Sequence, residues 1–524
     1  MKIPRLLAAM LVVASFLGSA CGSGSEDGDS ASEVNSDRTL TLAFSSDMED
    51  PDPDTVYQLQ GNQVMTSLYE GLLDYAPDSS SELVPLLAED WSVSDDQLTY
   101  TFTLREGLTF SDGTPLDSTT LKAGFERRVA ENVAAPAAYM LAGVESYETP
   151  DPLTFIINLS APDSAFPTYL ASSVSPKAIN PKVLEDNAED SAVEFMKTQS
   201  AGTGPYVLEE FTRGQQYVLS RNENYWGEEP FYEKVVVKII PDAASQIVQL
   251  QGGDLDIVAG QPIATVRTFE DSEDFQVVTF PVLQKAWLHL NVHSGPTADP
   301  EIRRAIRAAI DRPALVEQVF GDYAPESTQM YPVENLPEGM ATDEWEFEPS
   351  VLEQLGDTPI RLSYSASLAA DQQVVETIQT QLQAAGATVE LVPLQDGEQY
   401  AFVDDLEGAP NMHYEVAYPD SNHPDTWARL FWYSDVESGG GGFLNYMVGG
   451  TPEADSRMNE GISATDPGAV DEAYGEVGDL IQDSANWITL ADPEDVFIVR
   501  DGITGFQHWL PTPFALQLKA LKPE

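Results

Sequence analysis

The 524-residue chain carries 86 acidic and 26 basic side chains, a formal net charge of −60, with 42% hydrophobic residues. So acidic a molecule is repelled by nucleic acid, which is excluded as a partner, and its folded surface is expected to avoid anionic membrane faces. It is also too long for one hydrophobic core, so two or three domains are expected.

The N-terminus reads as an export signal. Lys2 and Arg5 form a short basic region, Leu6 to Leu17 is almost wholly apolar, and Gly18-Ser19-Ala20 precede Cys21. This segment, residues 1–20, is too short to span a membrane and has the flanks of a secretory signal peptide. Its removal takes away Lys2 and Arg5 and no acid, moving the net charge from −60 to −62. Cys21 is the only cysteine, so no intramolecular disulfide forms. Its place after small residues resembles a lipobox, in which the cysteine is lipidated and becomes the mature N-terminus. Gly18 stands where the usual lipobox has leucine, and Leu17 lies one residue further back. Residues 21–37, rich in Ser, Gly, Asp and Glu without apolar periodicity, are expected to be a flexible tether.

Beyond the tether, Thr39 to Phe44 alternates as a strand and is followed by an Asp/Pro loop through Asp54. Val64, Leu68 and Leu72 recur every four residues, which predicts an amphipathic helix over Gln63 to Leu73. Leu98 to Leu104 has strict period two with a threonine face, the pattern of an antiparallel strand wet on one side. A helix over Thr119 to Asn132 and a strand over Leu153 to Leu159 complete a small α+β module.

Two later stretches read as βαβ units, which imply parallel pairing with a helix on the sheet face. In the first, strand Lys234 to Ile240 precedes a helix from Ala243 to Gln251. Asp242 caps that helix, Gly252-Gly253 stop it, and Leu255 to Val258 resumes as strand. In the second, strand Ile360 to Ser365 precedes helix Asp371 to Ala385, with Val374, Ile378 and Leu382 on one face, and Val389 to Val392 follows Gly386. Between the units lies Gln276 to Val292. Its apolar run is interrupted by Pro281, which removes a ladder hydrogen bond, so two strand pieces joined at a bend are expected. Two α/β lobes connected there would leave a cleft at their boundary, where small-ligand sites tend to lie.

Several blocks resemble the family 5 extracellular solute-binding proteins of ABC importers, typified by oligopeptide, dipeptide and nickel receptors. They are Leu83 to Val129, with its Leu-Ala-Glu-x-Trp, Leu-Arg-x-Gly and Ser-Asp-Gly-Thr-Pro-Leu elements; Gly202-Thr-Gly-Pro-Tyr206, running through Arg221 to Gly227 and on to Gln251 to Ile257; and Leu290-Asn-Val with Arg303-Arg-Ala-Ile and Ala309-Ile-Asp-Arg312. Tyr418-Pro-Asp420 is a weaker fourth. The resemblance implies an α/β, type II periplasmic-binding-protein fold, two lobes around a hinged cleft with an inserted α+β subdomain. The implied bounds are 38–60, 166–283 and 490–524 for lobe I, 61–165 for the insert and 284–489 for lobe II, with a second crossing near Trp487 to Val499. It implies a receptor for a peptide-like or other small polar organic solute, with an oligosaccharide or a nickel complex as the alternative. The partners implied are ABC permease subunits with a cytoplasmic ATPase. A lipid-anchored monomer on the outer face of the cytoplasmic membrane is expected, with no cofactor.

In peptide-binding relatives an aspartate before the Tyr-Pro-Asp-like block pairs with the ligand's α-ammonium; here that position is Ala417, and Glu415 or Asp420 is the available substitute. Tyr414 falls where the family often has an aromatic against the ligand. Asn445 and Tyr446, after the glycine run Gly439 to Gly442, are further candidates. So are Trp287 and Asn291 at the joint, with buried strand packing as the other reading. Trp427, Phe431 and Trp432 lie at helical spacing, which fits core as well as ligand wall. Of the histidines, His289 and His293 are about 13 Å apart on a strand, too far to chelate one ion. His413 and His423 flank the ligand loop, and surface positions are the simpler reading. Arg303, Arg304, Arg307 and Arg312 are expected on a solvated face opposite the stripe Ile302, Ile306 and Ile310. No Gly-x-Ser-x-Gly elbow or phosphate-binding loop is present, and a glycosidase's carboxylate pair is not distinguishable among so many acids, so no catalytic residue is assigned.

Overall fold

The computed structural model describes residues 38–524 except 49, 58, 78, 80, 333–341, 349–351, 353–354, 356–357, 367–368, 396–397, 435–443, 446–448 and 508–511. Alternation puts Leu40, Leu42 and Phe44 of strand Thr39–Phe44 on one buried row, and this strand centres a sheet. Among the described residues that sheet has seven strands. Their order is Phe275–Phe280, Asp495–Arg500, Ile257–Ala259, Thr39–Phe44, Lys234–Ile239, Gln216–Arg221 and Tyr206–Thr212.

The first expected βαβ unit is present, with one addition. Helix Ala243–Gly252 begins at Asp242, whose side chain accepts from the Ser245 N–H, and stops at Gly253 with φ 86°, a conformation glycine takes without steric cost. The two strands it connects do not touch: Thr39–Phe44 lies between them and pairs parallel with both. A strand remote in sequence completes the parallel core.

The second unit lies in a five-stranded sheet ordered Thr388–Leu394, Pro359–Ser365, Met412–Ala417, Lys285–Leu290 and Trp487–Ala491. Here the two connected strands pair directly and in parallel. Helix Ala369–Ala384 covers them with Val374, Ile378 and Leu382, all buried. A four-stranded antiparallel sheet, ordered Ala88–Val93, Thr99–Leu104, Thr154–Leu159 and Val144–Asp151, buries Tyr100, Phe102 and Leu104 and turns its threonines outward. Among the described residues no helix is long and apolar enough to cross a membrane.

The run Gln276 to Val292 does divide at its proline. Phe275–Phe280 belongs to the seven-stranded sheet and Lys285–Leu290 to the five-stranded one. The chain returns the same way, with Trp487–Ala491 in the second sheet and Asp495–Arg500 in the first, each antiparallel to its counterpart. All five strands of the second sheet lie between Lys285 and Ala491, so the two halves are linked covalently only through 281–284 and 492–494.

Two expectations need correction. The helix placed at Gln63 to Leu73 runs over Leu59–Leu68, and Leu73 already opens the strand Leu73–Tyr75. Gly71 lies in the break, where a Cβ would stand 2.8 Å from Ser175 Oγ. The arginines after the joint do not form a solvated face: Arg303 and Arg312 are buried, and Arg304 is the exposed one of the four. Arg303 donates to the carbonyls of Ser484, Thr297 and Ala298. Arg312 donates to Glu326 and to the carbonyls of Asp343 and Thr489. Planar guanidinium groups with five donors suit such multiple carbonyl contacts.

Candidate functional site

Strand Met412–Ala417 ends where Pro419 cannot continue a ladder, and helix Pro424–Trp432 starts at His423, whose Nδ1 accepts the Asp425 N–H at 3.1 Å. The connecting residues 418–423 project from the second half and meet the first. The Tyr57 hydroxyl donates to both Asp420 carboxylate oxygens, at 2.7 and 2.6 Å, and the Tyr139 hydroxyl to one of them at 2.5 Å. Ser172 Oγ donates to the Asp420 carbonyl. Asn62 Nδ2 lies 3.3 Å from Tyr418 Oη, Thr168 Oγ1 lies 2.9 Å from Ser421 Oγ, and the Asn422 N–H donates to Tyr75 Oη at 3.1 Å.

The groups on the first half are held by buried charge. Asp52 and Asp54, in the Asp/Pro loop, pair with Arg127 at 2.6 and 2.5 Å, and Asp54 also with Arg128 at 2.9 Å. Both arginines end helix Ser118–Arg128, itself started by a capping box of Asp117 and Thr120. Arg128 also donates to the carbonyls of Pro53 and Val174, and Lys177 to the carbonyl of Ser172 at 3.2 Å. The segments bearing Tyr57 and Ser172 are thereby fastened to one helix end. Burial pushes the Asp420 carboxyl above its ordinary range, against the hydrogen bonds from Tyr139 and Tyr57 and the more distant Arg128. It raises the Tyr57 and Tyr139 phenols as well, and the Asp420 charge adds to that.

The residues singled out in sequence fall in different places. Asp420 is at the contact just described, and Ala417, half-buried, precedes it on the strand paired with Lys285. Tyr414 faces the other way, among Ala286, Leu288, Leu362, Ile378 and Ile488 in the core beneath the helices. Trp287 and Trp427 are fully buried with Trp432 and Trp487, the Trp287 and Trp487 rings stacked with centroids 4.7 Å apart. Among the described residues the four indole N–H groups of this cluster have no hydrogen-bond acceptor. Asn291 is buried, its amide donating to the carbonyls of Leu406 and Pro410 at 2.9 and 3.3 Å. Asn445 spans Tyr433 and Gly449 at 2.9 and 3.0 Å. Cys21, Tyr446, the run Gly439 to Gly442 and His508 lie outside the described residues.

His413 and His423 are not on the surface, while His293 is exposed. His289 and His413 are buried cross-strand partners with ring centroids 6.1 Å apart, and His289 Nε2 lies 3.0 Å from Glu415 Oε2. His423 is buried as the helix cap, against Tyr474. Burial pushes His413 and His423 down to about 4. Among the described residues no three His, Cys, Asp or Glu side chains are grouped to hold a metal ion. The first-half partners Tyr57, Asn62, Tyr75, Tyr139, Thr168 and Ser172 carry no motif, and only their three-dimensional meeting with 418–423 identifies them.

Residues 82–439 match the profile of the bacterial extracellular solute-binding proteins, family 5 Middle. The probable D,D-dipeptide-binding periplasmic protein DdpA of Escherichia coli K12 is 26% identical over 489 residues, 89% of this chain and 91% of the relative. The glutathione-binding protein GsiB of Salmonella paratyphi A is 26% identical over 498 residues, 93% and 95% of the two chains. NikA from Brucella suis, solved with Fe(III)-EDTA, superposes with a TM-score of 0.81 at 21% identity, over 93% of this chain and 100% of that one. DppA from Helicobacter pylori, solved with the peptide STSA, gives 0.78 at 19% identity, over 93% and 98%. The fold is that of the type II periplasmic binding proteins.

Proposed function

Because the chain belongs to the bacterial extracellular solute-binding proteins of family 5, we propose that it captures a peptide-like or other small polar organic solute between its two halves and delivers it to the permease of an ABC importer. The observation that carries this reading is the boundary itself: two bodies joined through 281–284 and 492–494, with hydroxyl and amide groups of the first half meeting residues 418–423 of the second, Asp420 among them. A hinged pair of lobes shifts toward closure by the amount that solute prefers the closed form. Lobe I is assigned to 38–60, 166–283 and 490–524, the insert to 61–165 and lobe II to 284–489. The solute contacts are assigned to the Ala417 to Asp420 end of the strand. With Ala417 where peptide receptors of the family carry the ammonium-binding aspartate, Glu415 and Asp420 are the carboxylates at hand. Tyr414, Trp287, Trp427 and Asn291 support the site from within the second half.

Cys21 is assigned as the lipid anchor after removal of residues 1–20, which holds a monomeric receptor at the outer face of the membrane. Cys21→Ser would then release the protein into the medium. The role is binding and not hydrolysis, so a bound peptide is recovered intact.

A thermal-shift screen over dipeptides, tetrapeptides, glutathione, oligosaccharides and Ni²⁺ with L-histidine tests the assignment, since a solute that binds only the folded state raises its melting temperature. A rise with one of the peptide-like compounds supports it. No rise with any class overturns it.

A further inference from the structure

We infer that Asp420, with Tyr57 and Tyr139 on its carboxylate, is a latch that holds the two halves together before solute arrives and so sets how tightly solute is then retained. This rests on the boundary being the solute site, yet it concerns the protein alone and is testable without solute. Apart from the His423 bond that caps helix Pro424–Trp432, the hydrogen bonds at residues 418–423 described above join the body between Lys285 and Ala491 to the other half, while the covalent links lie away at 281–284 and 492–494. A hinge movement that parts the halves breaks these bonds together.

Asp420 is the centre of the set because of its charge. Its side chain is buried and, among the described residues, makes no ion pair, so its charge is met by two neutral phenol donors, Tyr57 ahead of the four-stranded sheet's chain segment and Tyr139 within it. Hydrogen bonds to an ionised acceptor are roughly twice as strong as neutral ones. In the parted form the carboxylate returns to water and keeps its hydration, so the two states differ by a few such bonds and remain within reach of one another. The phenols are preset. Tyr57 follows the loop fixed by the Asp52, Asp54, Arg127 and Arg128 network, and Tyr139 packs edge-on against Tyr169 at 6.0 Å. Contacts made only in the closed form favour it with or without solute, so they raise affinity by slowing release.

The test compares the full-length protein with Asp420→Ala and with the double variant Tyr57→Phe, Tyr139→Phe. The double variant removes two hydroxyl oxygens and leaves the packing intact. Small-angle scattering of the solute-free proteins reads the separation of the halves, and amide hydrogen exchange reads residues 418–423. Both variants are expected to show a larger radius of gyration, with exchange at 418–423 faster by at least about tenfold per hydroxyl lost and an unchanged melting temperature in the double variant. A folded double variant with the wild-type radius and exchange overturns the latch. So does a wild-type protein whose radius already equals that of Asp420→Ala. Neither result bears on whether a solute binds, which the thermal-shift screen decides separately.

Discussion

Lys285 Nζ lies 2.6 Å from Asp492 Oδ1, which ties the first passage between the halves to the second at the hinge itself. The Lys285 side chain is fully buried, while Asp492 retains 36% exposure, and Lys285 also donates to Ser327 Oγ. Loss of the cation leaves Asp492 partly hydrated, so Lys285→Met is expected to lower unfolding free energy by about 1–2 kcal/mol, between the surface and buried limits. Urea denaturation measures this. A variant as stable as wild type would mean that the pair adds nothing to the hinge.

Arg127 serves Asp52 and Asp54 together, with both partners buried. Arg127→Leu strands two carboxylates, of which Asp52 is already pushed up by burial, and is expected to cost about 3–5 kcal/mol. Faster amide exchange in 50–57 than in the five-stranded sheet would locate the damage at the loop that carries Tyr57.

Asp163 governs a pH dependence. Burial, then the neighbouring Asp425 charge, pushes its carboxyl up to about 7 from 3.8, against Arg429 and the N–H groups of Ala165 and Phe166. The folded protein therefore holds this proton more tightly than the unfolded chain does. The stabilisation is complete below about pH 4 and is lost as pH rises through 7. Melting curves at pH 5.5 and 8.5 are expected to diverge for wild type more than for Asp163→Asn. Equal divergence in the two proteins would remove Asp163 as the cause.

Tyr414→Ala acts on folding. The ring is fully buried in the core beneath the helices, so its truncation is expected to cost about 3–5 kcal/mol. If stability were unchanged while solute affinity fell, the ring would be a solute contact after all.

The excess of acid predicts a response to salt. At a net charge of −60, self-repulsion opposes the compact state and is screened over about 10 Å at 0.1 M salt. Melting temperature should therefore rise as NaCl is increased from about 0.05 to 1 M, the range over which that screening length falls to about 3 Å. A flat response would mean that ion pairs and hydration already offset the repulsion.

Sequence alone determined much of the fold, because it is written in short-range pattern. Alternation marked Thr39–Phe44 and Thr99–Leu104, caps and glycines bounded helix Ala243–Gly252, and Pro281 marked the passage between sheets. The family blocks then ordered these parts. Tertiary structure decided what local pattern does not encode. Thr39–Phe44 enters the middle of a βαβ unit some 200 residues away in sequence, as its parallel pairings on both sides require. Arg303 and Arg312 read as surface charge until the carbonyls they serve come near, Tyr414 and Trp287 turn inward because strand register sends each side chain to one face, and Asn291, just past the strand, is drawn in by the carbonyls of Leu406 and Pro410. The site is the clearest case. Asp420 stands in a recognisable block, but Tyr57 and Tyr139, which complete it, are 363 and 281 residues distant. A hydrogen bond across such a separation depends on how whole sheets are placed, and no local spacing records that.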